Sequence, residues 1–276
     1  MTVINTNIKS LVAQQALSIN NRALSKAMEQ LSTGKRINTA ADDAAGIAIA
    51  SKMTAQIRGL NVAVRNANDA ISLAQTMEGA LDEVTNMVQR IRELGLQAAN
   101  GTYSTSDRAA LNAEYDALTA EISRVADKTT WNGTNFLGSG ASSIAFQIGP
   151  DANTTATLTF TDIDTSMAGV SNLVLAANGV SSVNEASAAI GYADDALSQI
   201  NNLRSNIGAF VNRLNYAADN LTNIATNTTA SRSRIQDTDY AQATTELAKQ
   251  QIIQQAATAM LAQANQQPAS VLSLLQ

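Results

Sequence analysis

The sequence predicts a mainly α-helical protein, with long antiparallel coiled-coil helices from both ends of the chain and a small β-hairpin region in the middle. Two stretches, one in each half, repeat apolar residues every three or four positions over more than thirty residues. Between them lies a stretch rich in Gly, Thr, Ser and Asn, where apolar residues alternate instead. The two repeat lengths distinguish long packed helices from strands and so indicate the fold class.

The first apolar seam runs through the first half of the chain without a break. Its twelve residues cover 38 positions in eleven steps, about 3.5 residues per step, which is the coiled-coil repeat. They are Leu60, Val64, Ala67, Ile71, Ala74, Met77, Leu81, Val84, Val88, Ile91, Leu94 and Ala98. We predict one long helix from about Asp42 to about Ala99, which needs partner helices because it cannot bury this seam alone.

Composition excludes several classes of function. The chain has 276 residues, is 45% hydrophobic and has no aromatic residue before Tyr103, which favours thin helical rods over a thick globular core. Because it has no His and no Cys, disulfides, His- or Cys-based zinc sites and Ser-His-Asp triads are excluded, and we expect no cofactor and no metal. A net charge of -5 argues against nucleic acid as a partner. No apolar run approaches the ~20 residues that span a bilayer, so no membrane insertion is expected.

The first helix is predicted to have an apolar face too broad for one neighbour. Ala13, Leu17, Leu24, Met28 and Leu31 share one face, and a second stripe contains Ile8, Val12 and Ile19. Gly34 has the position of a helix C-cap. The pattern Thr39-x-x-Asp42 is typical of a capping box, which would begin the long helix there.

The long helix is followed by a predicted reversal and an antiparallel neighbour. Asn100-Gly101 suits positive φ angles, so the chain can turn back at this point. The stretch from Ser104 to Asp107 can cap the next helix. That helix carries an apolar stripe of its own, made of Leu111, Tyr115, Leu118, Ile122 and Val125. It is the expected first partner of the long helix.

The middle of the chain is predicted to form one or two β-hairpins packed on the helices. Ile144, Phe146 and Ile148 alternate with other residues, and Leu158 and Phe160 alternate with threonines further on. Asn132-Gly133 and Asn178-Gly179 mark turns at the edges of this region.

A second coiled-coil helix is predicted after this region. Ser182-x-x-Glu185 has the pattern of a capping box. The apolar seam that follows covers 34 positions in ten steps: Ile190, Ala193, Leu197, Ile200, Leu203, Ile207, Phe210, Leu214, Ala217, Leu221 and Ile224. This seam would supply the second partner of the first long helix.

The two ends of the chain carry more apolar helix surface than one subunit can cover. The last block, from Tyr240 onward, again has an apolar face too wide for one neighbour. We therefore predict that a second copy of the chain covers the remainder. The residues expected to take part in self-assembly are Ile8, Leu11, Leu17, Leu24, Leu31, Ile253, Met260, Leu261, Leu272 and Leu275.

Motifs at both ends of the chain resemble those of bacterial flagellin. Near the start these are Val3-Ile4-Asn5-Thr6-Asn7, Leu31-Ser32-Thr33-Gly34-Lys35-Arg36-Ile37-Asn38, Asp42-Asp43-Ala44-Ala45-Gly46, Arg65-Asn66-Ala67-Asn68-Asp69, Gln75-Thr76-Met77-Glu78-Gly79-Ala80-Leu81 and Gln89-Arg90-Ile91-Arg92-Glu93-Leu94. Towards the end they are Ser231-Arg232-Ser233-Arg234-Ile235-Gln236-Asp237-Thr238-Asp239-Tyr240-Ala241, Leu261-Ala262-Gln263-Ala264-Asn265-Gln266 and Val271-Leu272-Ser273-Leu274-Leu275. So many ordered polar residues do not arise from helical periodicity alone.

The resemblance implies an extracellular structural subunit that polymerises into the bacterial flagellar filament for motility. It implies a terminal helical domain lining the filament channel (residues 1–40 and 236–276), a long-helix coiled-coil domain (41–130 and 183–235) and a β-hairpin insertion (131–182). Because only this short insertion separates the halves, the chain looks like a minimal flagellin without large outer domains. The resemblance further implies type III export in an unfolded state, and a flagellar export chaperone, a filament cap and hook-junction proteins as partners.

Resemblance to flagellins also implies recognition by a host Toll-like receptor. The matching positions are Arg90 and Leu94 on the long helix and Glu114 on the adjacent helix. The other interpretation is that such surface arginines form a solvated face or make ion pairs between subunits.

Other functions remain open at this stage. The hook-filament junction protein shares the terminal layout, and a flagellin-like surface adhesin would bind polysaccharide through residues 130 to 182. An enzyme is the weakest option. Adjacent carboxylates such as Asp42-Asp43 point apart on a helix, which favours caps or a solvated face over an acid-base pair. We expect no catalytic residues.

Overall fold

A computed structural model describes residues 6–138, 144–151, 155–158, 168–174 and 179–273, with side chains omitted at 158, 168–169 and 267–273. Six helices and four short strands lie in these ranges, in the order α1 (Ile8–Thr33), α2 (Ala44–Ala98), α3 (Thr105–Lys128), β1 (Thr130–Trp131), β2 (Thr134–Asn135), β3 (Ile144–Gln147), β4 (Thr155–Leu158), α4 (Ala168–Val174), α5 (Val183–Gln236) and α6 (Tyr240–Ser273). The predicted fold class is confirmed.

The chain forms two compact units. Met1–Ile57 and Thr226–Gln276 make up one, which we call the terminal unit. Arg58–Ala225 makes up the other, which we call the long-helix unit. Helices α2 and α5 each contribute to both units, so each unit is built from the two halves of the sequence.

The long-helix unit is organised around the antiparallel pair of α2 and α5. Arg92 Nε lies 2.6 Å from Asp194 Oδ1, and Arg204 Nη2 lies 3.2 Å from Asp82 Oδ1, so the paired positions run in opposite directions. From Ala67 to Ala98 most of the predicted first seam is fully buried, together with matching α5 residues such as Ile200. The first seam was therefore predicted correctly as a coiled-coil surface, and so was the second except at its end, where Ile224 is 37% exposed and the neighbouring Ala225 is buried instead.

Helix α3 packs beside α2 in the opposite direction, as predicted. It begins with a capping box, in which the Ser104 amide donates to Asp107 Oδ2 at 2.9 Å and the Asp107 amide donates to Ser104 Oγ at 3.2 Å. Bonds from Ser104 lower the pKa of Asp107. Tyr115 and Ile122 are buried in the core shared with α2 and α5. Its predicted role as the first partner of α2 is confirmed.

The turn before α3 differs from the expectation. Neither Asn100 nor Gly101 has a positive φ angle. Asn100 Oδ1 instead accepts from the Thr102 amide at 3.2 Å, and the Asn100 carbonyl accepts from Arg108 Nη2 at 3.2 Å. Because side chains close the reversal, the left-handed conformation is not needed there.

Two β-hairpins follow, as predicted. Asn132 and Gly133 have φ angles of 49° and 78° and connect β1 to β2 in a two-residue loop, which matches the twist of the strands. Strand β3 pairs antiparallel with β4, and the ring of Phe146 lies 6.2 Å from that of Phe210 on α5. Asn66 Nδ2 on α2 donates to the Gln147 carbonyl at 2.9 Å. The second hairpin therefore packs on both long helices.

Helix α4 was not predicted from the sequence. Its Leu173 is buried, and the Leu173 carbonyl accepts a hydrogen bond from the Tyr115 hydroxyl at 3.1 Å. The predicted alternation at Phe160 and the predicted turn residue Asn178 lie outside the described residues. Ser182 and Glu185 form the predicted box at the start of α5, because the Ser182 amide donates to Glu185 Oε2 and the Glu185 amide donates to Ser182 Oγ.

The terminal unit contains the antiparallel pair of α1 and α6. Asn7 Nδ2 donates to the Ala264 carbonyl at 2.8 Å, and Asn20 Nδ2 donates to the Gln250 carbonyl at 3.0 Å. Gly34 ends α1 with a φ angle of 69°, and its amide donates to the Gln30 carbonyl. The predicted C-cap is confirmed, because only a residue without a Cβ adopts this conformation at low cost.

The predicted capping box at Thr39 and Asp42 does not form, and α2 begins two residues later. Asp42 Oδ2 accepts from the Thr39 amide at 3.1 Å, but the Thr39 hydroxyl donates to the same carboxylate and caps nothing. Lys26 on α1 pairs with Asp42 at 2.7 Å, and this bond is the largest cause of its lowered pKa. Asp43 Oδ1 accepts from the Gly46 amide at 2.8 Å and is the effective cap.

Candidate self-assembly surface

The pairing of α1 and α6 covers only one side of each helix. On α1, Leu17, Leu24 and Leu31 are half-buried against the rest of the terminal unit. Leu261 on α6 is half-buried as well. These four residues of the predicted set therefore contribute to the packing of the subunit itself as well as to any contact beyond it.

The other described members of the predicted set are exposed. Ile8 is 58% exposed and Leu11 56% on α1, while Ile253 is 41% exposed and Met260 66% on α6. Leu272 lies in α6 without a described side chain, and Leu275 lies outside the described residues. Exposed apolar side chains on both helices of one pair indicate an interaction surface rather than scattered surface residues.

Further apolar side chains enlarge this surface beyond the predicted set. Val12 and Ile19 on α1 are 60% and 52% exposed, and Ile252 on α6 is 66% exposed. Val12 and Ile19 belong to the second stripe predicted from the sequence, but Ile252 was missed as a site residue. The signal that reveals it is the apolar pair Ile252-Ile253, since adjacent helix positions cannot both face α1.

The second predicted contact set lies on the long-helix unit. Arg90 Nε lies 2.8 Å from Glu114 Oε1, joining α2 to α3, and Arg90 Nη1 lies 3.0 Å from Glu93 Oε2. The hydrogen bond from Arg90 to Glu114 is the largest cause of the raised pKa of Arg90. Both partners are exposed, whereas Leu94 is fully buried in the core. The structure thus brings Arg90 and Glu114 together at the surface, whereas Leu94 is buried and was wrongly predicted as a surface contact.

Metal-binding groups of acidic side chains and membrane-spanning helices are both missing from the described part of the chain. Within it, no group of three or more acidic side chains is placed to hold a metal ion. None of the described helices is both long enough and apolar enough to cross a bilayer. An open groove in the terminal unit is lined mostly by polar and charged side chains, including Arg22, Lys26 and Asp42. The fold and the exposed apolar faces together define a structural, self-associating helical protein.

Comparisons with known proteins agree with this class. Residues 4–141 match the family model for the bacterial flagellin N-terminal helical region, and residues 190–275 match that for the bacterial flagellin C-terminal helical region. A flagellin of Halalkalibacterium halodurans is 44% identical over 273 residues, covering 99% of both chains. The flagellar filament core protein flaB2 of Brachyspira hyodysenteriae is 40% identical, covering 99% of this chain and all of that one.

A solved structure gives the same result. The crystal structure of Bacillus cereus flagellin is similar with a TM-score of 0.52 and 33% identity, covering 61% of this chain and 94% of that one. The chain belongs to the bacterial flagellin family. The resemblance seen in the terminal motifs is therefore confirmed. With 276 residues, the chain has the size of a minimal flagellin.

Proposed function

We propose that this chain is the repeating subunit of a bacterial flagellar filament and that its terminal unit makes the contacts between subunits. The single observation that carries the proposal is the exposure of large apolar side chains on both α1 and α6. The full-length similarity to flagellins supports it. A structural role is part of this proposal.

The exposed residues can supply the energy of such contacts. Fully burying an Ile or Met side chain contributes ~1.5 to 3 kcal/mol. Ile8 and Met260 keep more than half of their surface exposed, so each still has about half of that amount to gain, roughly 1 kcal/mol, when a second copy covers it. Several such residues per subunit, repeated along a filament, favour assembly.

The domain assignment is part of this proposal. We place the terminal helical domain (1–40 and 236–276) at the filament channel, the long-helix domain (41–130 and 183–235) around it, and the β-hairpin insertion (131–182) on the helices of the latter. The exposed apolar faces of α1 and α6 support the first of these. The packing of Phe146 on Phe210 supports the last.

Export and assembly partners follow from the same proposal. We propose that the chain leaves the cell unfolded through the flagellar type III apparatus and works with an export chaperone, a filament cap and hook-junction proteins. The absence of cysteine and the presence of only two prolines support this, because neither disulfides nor many slow proline isomerisations would delay threading and refolding.

The test is polymerisation of charged variants. Ile8→Asp and Met260→Asp should leave the pelleted filament fraction strongly reduced at concentrations where the unmodified chain assembles, because a carboxylate would be buried without a partner. Ser25→Asp places the same charge at an exposed polar position of α1 and should assemble normally. Leu275→Asp, in the last residues, is expected to behave like Ile8→Asp. Far-UV circular dichroism checks that the total helix content of each variant is that of the unmodified chain.

The possible outcomes separate the candidate functions. Normal filaments from both Ile8→Asp and Met260→Asp would contradict the proposed contact surface. An unmodified chain that never forms tubes of constant diameter, seen by electron microscopy, would contradict the filament itself. If that chain also binds polysaccharide through residues 130 to 182, the adhesin alternative would replace it.

We also propose that a host Toll-like receptor recognises the exposed pair of Arg90 and Glu114. Their position on one surface of α2 and α3 supports this, and buried Leu94 would act by holding α2 in place rather than by touching the receptor. Arg90→Glu should weaken binding to the purified receptor ectodomain. Arg124→Glu is the matched control, because Arg124 forms an exposed pair with Glu121 on α3 alone. Equal binding by both variants would contradict this assignment.

A further inference from the structure

Asn20 is a buried polar residue at the centre of the α1 and α6 pair. It is 5% exposed, and no other polar side chain is buried among the described residues of the terminal unit. Its Nδ2 donates to the Gln250 carbonyl at 3.0 Å, while its Oδ1 is buried without a hydrogen-bond partner. Leaving a buried carbonyl oxygen unpaired lowers stability, so this position calls for a reason other than stability.

The positions that face the partner helix show where Asn20 stands. On α1 the interior positions repeat at spacings of three and four; in chain order they are Ala13, Leu17, Asn20, Leu24, Ala27 and Leu31. On α6 they are Ala243, Leu247, Gln250, Gln254, Ala257 and Leu261. These are coiled-coil repeats in which a polar layer interrupts apolar positions on both helices.

The polar layers of the two helices lie at the same level. Asn20 Nδ2 donates to the backbone carbonyl of Gln250, and the neighbouring Asn21 accepts through Oδ1 from Gln254 Nε2 at 3.0 Å. Further along the pair, Ser10 Oγ donates to Asn265 Oδ1 at 2.8 Å. Amide side chains therefore meet amide side chains or carbonyls in this one alignment of the helices.

The apolar positions alone do not determine this alignment. The apolar interior positions of both helices are all Ala or Leu, so their identity does not mark one alignment. A movement of α6 by one turn that brings Leu261 level with Ser10 would place Asn20 beside Leu247 and would separate Asn21 from Gln254 and Ser10 from Asn265. Asn20 would then lose its bond to the Gln250 carbonyl and face an apolar side chain, which is costly at a buried position.

We propose that Asn20 is a positioning residue that fixes the register between α1 and α6. A single buried Asn in a coiled coil is known to specify register at some cost in stability. The register determines how the exposed residues of α1, such as Ile8, are placed relative to those of α6, such as Met260. That consequence for assembly rests on the proposed function, whereas the register itself does not.

The test uses disulfide trapping, because the chain has no cysteine of its own. Ser10→Cys with Asn265→Cys reports the native register, since those two side chains are in contact. Ser10→Cys with Leu261→Cys reports a slip of one turn, because residue 261 lies one turn from residue 265. Oxidised products are mapped by peptide mass spectrometry, in pelleted filaments and in unassembled full-length chain.

Each trap is made in four backgrounds: unmodified, Asn20→Leu, Asn20→Gln and Gln15→Leu. Gln15 is exposed on α1, so Gln15→Leu exchanges an amide for leucine away from α6. Asn20→Leu should raise the ratio of slipped to native product at least about tenfold, because the mismatch penalty of a buried amide is of that order. Asn20→Gln and Gln15→Leu should keep the low ratio of the unmodified chain.

Three results would overturn the proposal. The first is an unchanged ratio in Asn20→Leu, whether or not that variant forms filaments. The second is an equal rise in Asn20→Gln, which would show that the amide is not what matters. The third is loss of both products in Asn20→Leu, which would make Asn20 necessary for pairing but not for register. Filament formation is scored separately, so a failure of assembly is distinguishable from a failure of register control.

Discussion

Asn135 holds the C-terminal end of α3 and the following chain together. Its Nδ2 donates to the carbonyls of Ala126 and Asp127 at 3.0 and 2.7 Å, near the end of the helix. Its Oδ1 accepts from the amides of Leu137 and Gly138, both at 2.8 Å. One side chain thus satisfies backbone groups on two segments that otherwise have few partners.

Removing this side chain should weaken the long-helix unit measurably. A net hydrogen bond contributes ~0.5 to 1.5 kcal/mol, and Asn135 is only partly buried, so water can replace some of what is lost. Taking the lower half of that range for four bonds, Asn135→Ala should lower the free energy of unfolding by about 2 to 4 kcal/mol.

Trp131 is the natural probe for this change. It is the single tryptophan of the chain and lies on β1, four residues from Asn135. A urea titration followed by Trp131 fluorescence measures unfolding of the long-helix unit, which contains Asn135. Thr134→Ala changes an exposed neighbour of Asn135 and should alter the free energy of unfolding by less than about 0.5 kcal/mol.

A second variant makes the reasoning refutable. Asn135→Asp keeps an acceptor for Leu137 and Gly138 but loses both donated bonds and places a negative charge beside the carbonyls that end α3. It should therefore be at least as destabilised as Asn135→Ala at pH 7 and should recover partly at a pH where the carboxyl is protonated. A decrease in the free energy of unfolding below about 0.5 kcal/mol in Asn135→Ala would refute the stabilising role of the Asn135 hydrogen bonds. An Asn135→Asp variant as stable as the unmodified chain would refute it as well.

Three other predictions can be checked by the same unfolding measurement. Gly79→Ala should stabilise α2 by about 0.5 to 1 kcal/mol, because its new Cβ meets nothing within 4 Å. Gly95→Ala should gain clearly less stability, because its new Cβ would crowd α5. Equal gains in stability would contradict the close approach of Gly95 to α5. Ile91→Ala should cost about 2 to 5 kcal/mol and Leu96→Ala, on the same helix but 63% exposed, less than about 0.5; similar losses would contradict the seam. Burial raises the pKa of Tyr115 to about 12, so stability present below its ordinary value of 10.0 should be lost as pH rises towards 12, and Tyr115→Phe should lack that loss in an alkaline titration.

Much of the fold could be predicted from the sequence because long helices carry their own evidence. The apolar seams predicted α2 and α5, and their burial confirms it. Gly34, Ser104 and Ser182 were identified as helix boundaries because a cap depends on residues within four positions of one another. Asn132-Gly133 predicted a hairpin turn for the same reason.

The assembly surface was only partly predictable. An excess of apolar surface on α1 and α6 can be recognised from periodicity, but periodicity does not say which stripe faces the partner helix. The structure places Leu17 and Leu24 towards α6 and leaves Ile8 and Leu11 exposed. Asn20 was not recognised in the sequence at all, because an Asn on a helix resembles a solvated residue until its partner is known.

The sequence by itself determined the number of long helices, their approximate ends, the hairpin turn and the family, because each depends on local spacing or on ordered motifs. Only the tertiary structure decided where α2 begins, because Lys26 forms an ion pair with Asp42. It also decided how the chain reverses after α2, because Arg108 donates a hydrogen bond to the Asn100 carbonyl. It also decided that residues 168–174 form a helix and that Asn135 closes the end of α3. These features depend on contacts with groups on other segments, and local spacing does not predict which groups folding will bring together.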